Sequence, residues 1–199
     1  MKKWIALVLA LVLAMSLSAC SCAKQPDPTT PSGSAPTGTT PTTTPSQPVA
    51  GGKTLSGTMA ENIDKIMQKN PVEFMGGVQP LDLQDDSENG LLVLEGYTGL
   101  KSGTALADGA VYEPMMGSQA FSLVLVRVAN AAEAETVARD MKKNINPRKW
   151  ICVQADQVMA AGYGDVVMFI MLDSNMGKTA QSYVDAFTAV CGSKPDFIL

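Results

Sequence analysis

The sequence predicts an α+β domain in which helices pack on an antiparallel sheet of about four strands, behind a disordered linker. Two apolar runs, 121–128 and 166–172, carry hydrophobic residues on both alternating faces, which predicts adjacent central strands. Apolar residues at helical spacing over 131–145 and 178–191 predict two helices, each with one apolar stripe to bury. The order of helices and paired strands favours the α+β class.

The first predicted helix covers residues 58–69. Thr58 and Glu61 have the spacing of a capping box, and apolar residues follow at helical spacing until Asn70 and Pro71 end the pattern. The helix therefore begins the folded part of the chain.

Residues 71–116 give a weaker signal, because glycines interrupt every periodic run. The segment 91–97 fits either a short helix or a short strand. A strand is predicted over 110–115, near an edge of the sheet because it contains Pro114.

Two further strands are predicted over 150–161 and 165–172, joined by a turn that contains Gly162 and Gly164. These glycines lack the rest of a dinucleotide-binding fingerprint, so they indicate a hairpin. Gly192 is predicted to cap the last helix at its C-terminal end.

The N-terminus has the layout of a secretory signal, with two lysines followed by a short apolar run from Trp4 to Ser16. The run is too short to span a bilayer. Leu17, Ser18 and Ala19 precede Cys20, a pattern similar to the lipobox of bacterial lipoproteins. That resemblance implies that residues 1–19 are a lipoprotein signal peptide and that Cys20 carries the lipid, with enough acyl chains for a stable anchor. An ordinary cleaved signal is the alternative.

Residues 20–52 would then contain the lipidated cysteine and a linker rich in Pro, Thr and Ser. With almost no large apolar side chain, the linker cannot bury a core and is predicted to be disordered. Residues 53–199 are predicted to form a single domain. The expected location is the outer face of the cytoplasmic membrane.

Composition excludes several classes of function. The chain has a formal net charge of −4 and a sequence pI of about 4.8, so nucleic acid is not expected as a partner. It contains no histidine, which excludes a Ser-His-Asp triad, a Cys-His pair and histidine-ligated zinc. No motif predicts a catalytic residue, a metal site or a cofactor.

Two groups of charged residues are candidates for a functional role. Basic side chains on and after the 131–145 helix predict a solvated helix end, with contact to an acidic cell-surface polymer as the alternative: Arg139, Lys142, Lys143, Arg148 and Lys149. A dense acidic cluster could hydrolyse glycosides: Asp82, Asp85, Asp86 and Glu88. The segment 85–90, with oxygen side chains at alternate positions before Gly90, also resembles a calcium loop, although Glu95 falls one residue before the closing position. A solvated turn is favoured for this cluster.

Cys152 and Cys191 are the thiols of the predicted domain. An exported domain permits a disulfide between them, whereas their apolar neighbours equally suit two free buried thiols. Neither lies in a Cys-x-x-Cys motif.

The segments 148–158 and 162–168 resemble the C-terminal part of a domain-of-unknown-function family of small lipoproteins from Gram-positive anaerobes. The resemblance covers about Thr58 to Leu172. It implies a cell-surface lipoprotein of unknown activity and assigns no functional residues.

The favoured function is a noncatalytic binding or interaction domain, held at the membrane through lipid on Cys20, with another protein, the cell wall or a small ligand as its partner. A carboxylate-based surface hydrolase acting on glycans is the alternative.

Overall fold

The centre of the structure, a computed structural model that describes residues 52–199, is a six-stranded antiparallel sheet. The predicted signal peptide, Cys20 and nearly all of the predicted linker lie outside the described residues. The strands stand in the order β1-β2-β3-β5-β4-β6. Their bounds are β1 (Gly76–Pro80), β2 (Leu106–Pro114), β3 (Phe121–Val128), β4 (Gln157–Tyr163), β5 (Val166–Leu172) and β6 (Phe197–Ile198).

Helices cover both faces of this sheet. Helices α1 (Met59–Lys69) and α4 (Ala180–Cys191) bury their apolar stripes on one face. Helix α3 (Ala134–Asn144) covers the other face, where Tyr97 of α2 (Glu88–Thr98) also packs. The fold is therefore α+β, with an apolar core on each side of the sheet.

The two strongly apolar runs are adjacent central strands, as predicted. β3 and β5 pair antiparallel, with Val124 opposite Phe169, and every residue of β5 is buried. The predicted helices over 131–145 and 178–191 both pack on this sheet, from opposite faces. A strand that is apolar on both faces needs other elements packed against both faces of its sheet.

The prediction of about four strands was wrong, because the sheet has six. β1 was missed because Gly76 and Gly77 give it no side-chain alternation. β6 was missed because its two residues are too few for any periodic signal.

The predicted strand over 110–115 is the longer β2, and it does not lie at the edge. β1 pairs with its outer side and forms the edge of the sheet instead. Pro114 is tolerated because it is the last residue of β2.

The strand predicted over 150–161 begins only at Gln157. The preceding segment is irregular because tertiary contacts hold it over α2 and β2, with Lys149 inserted beside Glu113. Cys152 in this segment has φ 63, which is incompatible with a strand.

The segment that fitted either a helix or a strand is the helix α2. It begins earlier than its apolar run, at Glu88, because the Ser87 hydroxyl accepts a hydrogen bond from the Gly90 N–H. Gly99, with φ +73, ends the helix in the left-handed conformation.

The predicted capping signals are confirmed. Thr58 and Glu61 form the reciprocal hydrogen bonds of a capping box at the start of α1. Gly192 has φ +73 and caps α4, and Gly164 has φ +58 in the hairpin turn between β4 and β5.

The chain before α1 is held against the sheet by the half-buried guanidinium of Arg127. It donates hydrogen bonds to the carbonyl oxygens of Leu55 (2.7 Å) and Gly57 (3.1 Å) and to the hydroxyl of Thr54 (2.6 Å), and it pairs with Asp165 at 2.8 Å. This network fixes residues 54–57 at the end of the sheet where β4 and β5 are joined.

Limited proteolysis of the full chain is expected to leave a resistant fragment that starts near Lys53, because cleavage within 54–57 requires the Arg127 network to open. N-terminal sequencing of the fragment checks this expectation. Arg127→Lys loses the forked contact, so the resistant fragment of this variant should begin at a residue after Leu55. A resistant fragment of the unaltered chain that begins between Thr54 and Gly57 would contradict this expectation.

Candidate interaction surface beside helix α2

Two neighbouring grooves flank α2 and share Val93 and Tyr97 in their linings. The larger, of about 400 Å³, lies between α2 and the end of β1 and is bordered by Leu81. The smaller, of about 220 Å³, lies between α2 and the loop that carries Lys149. Because they share these two residues, the grooves adjoin each other along α2.

The acidic cluster borders the larger groove only in part. Asp82 and Asp85 line it, and all four members of the cluster, with Asp86 and Glu88, are exposed. The Asp85 carboxylate accepts a hydrogen bond from the Ser87 N–H at 3.0 Å. Hydrogen bonds from Ser87 lower the pKa of Asp85, the opposite of the shift that a general acid needs.

The calcium-loop alternative fails on local geometry, because residues from Glu88 onward form the first turn of α2. Asp85 instead closes a turn against the start of the helix. A Cβ at Gly90 would collide with this turn, so glycine is needed there. Within residues 52–199, no group of three acidic or cysteine side chains is placed to hold a metal ion.

Lys149 is the most unusual charged residue of this surface, because its side chain is only 15% exposed. Its ammonium pairs with the Glu113 carboxylate at 2.5 Å and donates a hydrogen bond to the Gly96 carbonyl at 3.0 Å. It also lies 4.8 Å from the centroid of the Tyr97 ring and 5.3 Å from that of Trp150. These contacts join α2, β2 and the loop before β4.

Burial lowers the pKa of Lys149, while the charge of Glu113 and the hydrogen bond to it act in the opposite direction. The ammonium also lies 3.4 Å from the Ser122 hydroxyl, which suggests a Ser-Lys pair. Ser122 is fully buried, however, and its hydroxyl cannot reach a substrate carbonyl. Lys149 and its contacts are therefore better explained as polar contacts that join neighbouring elements than as the activating group of a nucleophilic serine.

The prediction of a solvated helix end is therefore wrong for Lys149 and holds for the other four basic residues. Arg139, Lys142 and Lys143 are exposed on α3, and Arg148 is exposed in the loop that follows it. Lys149 differs because it lies in the loop beyond the helix, where the chain folds back over β2. The pattern of charged residues in the sequence does not predict that the chain folds back at this point.

Exposed apolar side chains gather at one end of the sheet, where β2 ends and β3 begins. Met75, Met115, Met116 and Ile151 are between 62% and 77% exposed. Backbone hydrogen bonds hold them together, from the Met115 N–H to the Met75 carbonyl (2.9 Å) and from the Ile151 N–H to the Gly117 carbonyl (3.0 Å). We call these four residues the apolar end; sequence reasoning missed it because they are scattered along the chain.

Cys152 and Cys191 are free thiols in the structure. Cys152 is exposed in the loop before β4, whereas Cys191 is half-buried at the end of α4. Burial raises the pKa of the Cys191 thiol to about 12, so it has little thiolate for reaction.

Comparison of the chain with protein-family models, with curated proteins and with solved structures finds no match. Within the described residues, no helix is both long and apolar enough to cross a membrane. The resemblance to the lipoprotein family stays a prediction.

Proposed function

We propose that this chain is a lipid-anchored protein at the outer face of the cytoplasmic membrane, and that its folded domain is a noncatalytic binding domain. The apolar end is the observation that carries the binding role. Soluble proteins rarely leave several large apolar side chains together in water unless a partner covers them. The two grooves beside α2 widen the surface that a partner can contact.

The position of the apolar end agrees with this role. The N-terminal segment enters the domain beside the β4–β5 turn, where Lys53 pairs with Asp196 and Arg127 with Asp165. The apolar end lies at the opposite end of the strands, about 25 Å away for strands of this length. The apolar end therefore lies far from the point where residues 53–57 meet the domain.

The hydrolase alternative gains no support from the acidic cluster. Glycoside cleavage by two carboxyls needs one carboxyl that stays protonated, in a site that excludes water. Asp85 has a lowered pKa, and its three neighbours in the cluster are exposed.

Fractionation of cells tests the anchor. Cys20→Ala is expected to release the protein into the medium or to leave it uncleaved, because the thiol that carries the lipid is lost. Cys22→Ala is the matched control, since it removes a thiol two residues away and should stay in the membrane fraction with a lipid-modified N-terminus by mass spectrometry. Unchanged membrane partition and an unmodified Cys20 would refute the lipid assignment.

A further inference from the structure

β1 is an edge strand whose outer side is open. It is the terminal strand of the sheet, and among residues 52–199 no further strand pairs beyond it. It carries none of the charged side chains that usually protect such an edge. Met75, directly before it, is 77% exposed.

The pairing register shows which backbone groups are free for a new strand. The Leu81 N–H bonds to the Gly109 carbonyl, and the Met115 N–H bonds to the Met75 carbonyl. Hydrogen-bonded and free positions alternate along an antiparallel strand, so Gly77 and Gln79 face β2 while Gly76, Val78 and Pro80 face outward. Pro80, which has no N–H, lies on the outward side, where β2 does not need a donor.

The larger groove continues from this edge and is acidic. Gln79, Pro80 and Leu81 form its wall on the β1 side, and Asp82 and Asp85 supply its charged groups. No lysine or arginine is among the lining residues that the structure describes. A strand added to β1 would direct alternate side chains to the α2 face of the sheet, toward these carboxylates.

We infer that the partner of this domain is an extended peptide segment rich in basic residues, which adds to the sheet as a seventh strand beside β1. The outward N–H and C=O groups of Gly76 and Val78 bind its backbone. Asp82 and Asp85 attract the cationic side chains that point to the α2 face, and Leu81, Val93 and Tyr97 contact the aliphatic stems of those same side chains. This mode of peptide recognition obtains affinity from the main chain and specificity from alternate side chains.

Charge favours this partner over a second copy of the chain. Pairing two β1 edges would bring two acidic grooves together, in a protein whose formal net charge is already −4. The inference rests on the proposed binding role and is independent of the lipid anchor, which the Cys20 experiment tests separately.

The test is calorimetric titration of the purified full chain, in nonionic detergent, with two synthetic probes. One is the acetylated and amidated hexapeptide Lys-Val-Lys-Val-Lys-Val, and the other has Glu in place of Lys.

Two pairs of protein variants accompany the peptides. Val78→Pro removes an outward N–H without touching the bonds to β2, and Val78→Ala is its matched control because it loses similar packing but keeps the donor. Asp82→Asn removes a charge but keeps the oxygen that accepts from the Gln84 N–H, with Asp140→Asn on α3 as control.

The lysine peptide is expected to bind, and the glutamate peptide to bind at least tenfold more weakly. Val78→Pro should weaken binding about fivefold to tenfold relative to Val78→Ala. Asp82→Asn should weaken it about twofold to fivefold, and added salt should abolish that difference. Equal affinities for Val78→Pro and Val78→Ala, equal binding of the two peptides, or no binding would overturn the inference. So would self-association of the peptide-free chain that Val78→Pro abolishes, since a second copy would then occupy the edge.

Discussion

Replacing Phe169 with alanine is expected to lower the free energy of unfolding by about 3 to 5 kcal/mol. Phe169 lies at the centre of β5, fully buried, with Val124 of β3 and Ala160 of β4 opposite it on either side. Its ring belongs to the core beneath α3. Because strands flank it and a helix covers it, the surrounding residues cannot easily collapse into the cavity.

Chemical denaturation of the full chain measures this loss. Met116→Ala is the control, because that side chain is 62% exposed and its removal should change the free energy of unfolding by less than about 0.5 kcal/mol. A loss below about 1 kcal/mol for Phe169→Ala would contradict a central position for β5.

Lys149→Ala is expected to cost roughly 2 to 4 kcal/mol, because it leaves the Glu113 carboxylate without its partner in a poorly solvated place. The two side chains are 15% and 19% exposed, so the charge that remains is only partly hydrated. The substitution also removes the hydrogen bond to Gly96 and the contacts with the Tyr97 and Trp150 rings. The loop before β4 should therefore loosen.

A double-mutant cycle separates the ion pair from simple packing. Lys149→Met combined with Glu113→Gln should recover much of the lost stability, since neither residue then leaves a buried charge. Lys142→Ala, at an exposed site on α3, is the control for removing a lysine. If Lys149→Ala costs no more than Lys142→Ala, the ammonium is solvated and the described contacts do not hold the loop.

The parts of the fold that sequence predicted correctly are those determined by local signals. The capping box at Thr58, the glycine cap at Gly192 and the hairpin at Gly164 depend on residues a few positions apart. The continuous apolar run of β5 likewise requires cover on both faces, wherever its neighbours come from.

The rest depends on contacts between distant segments. β1 is a strand because residues 76–80 pair with β2. Its two glycines give no alternation of apolar and polar side chains from which a strand could be predicted. The strand predicted over 150–161 was wrong in its start, which lies at Gln157, because the ion pair of Lys149 with Glu113 holds the preceding loop elsewhere. For the candidate surface, sequence identified Asp82 and Asp85, but neither the apolar end nor the open edge of β1 has a signature within one segment.

Titration of Val78→Pro against Val78→Ala with the lysine peptide tests the binding role at this edge most directly. The two variants share the loss of the valine side chain and differ at the outward-facing backbone nitrogen, where proline has a ring carbon in place of the hydrogen. The account predicts that the proline variant binds about fivefold to tenfold more weakly. Equal affinities would show that the peptide does not pair with β1, and the binding surface would have to be sought elsewhere.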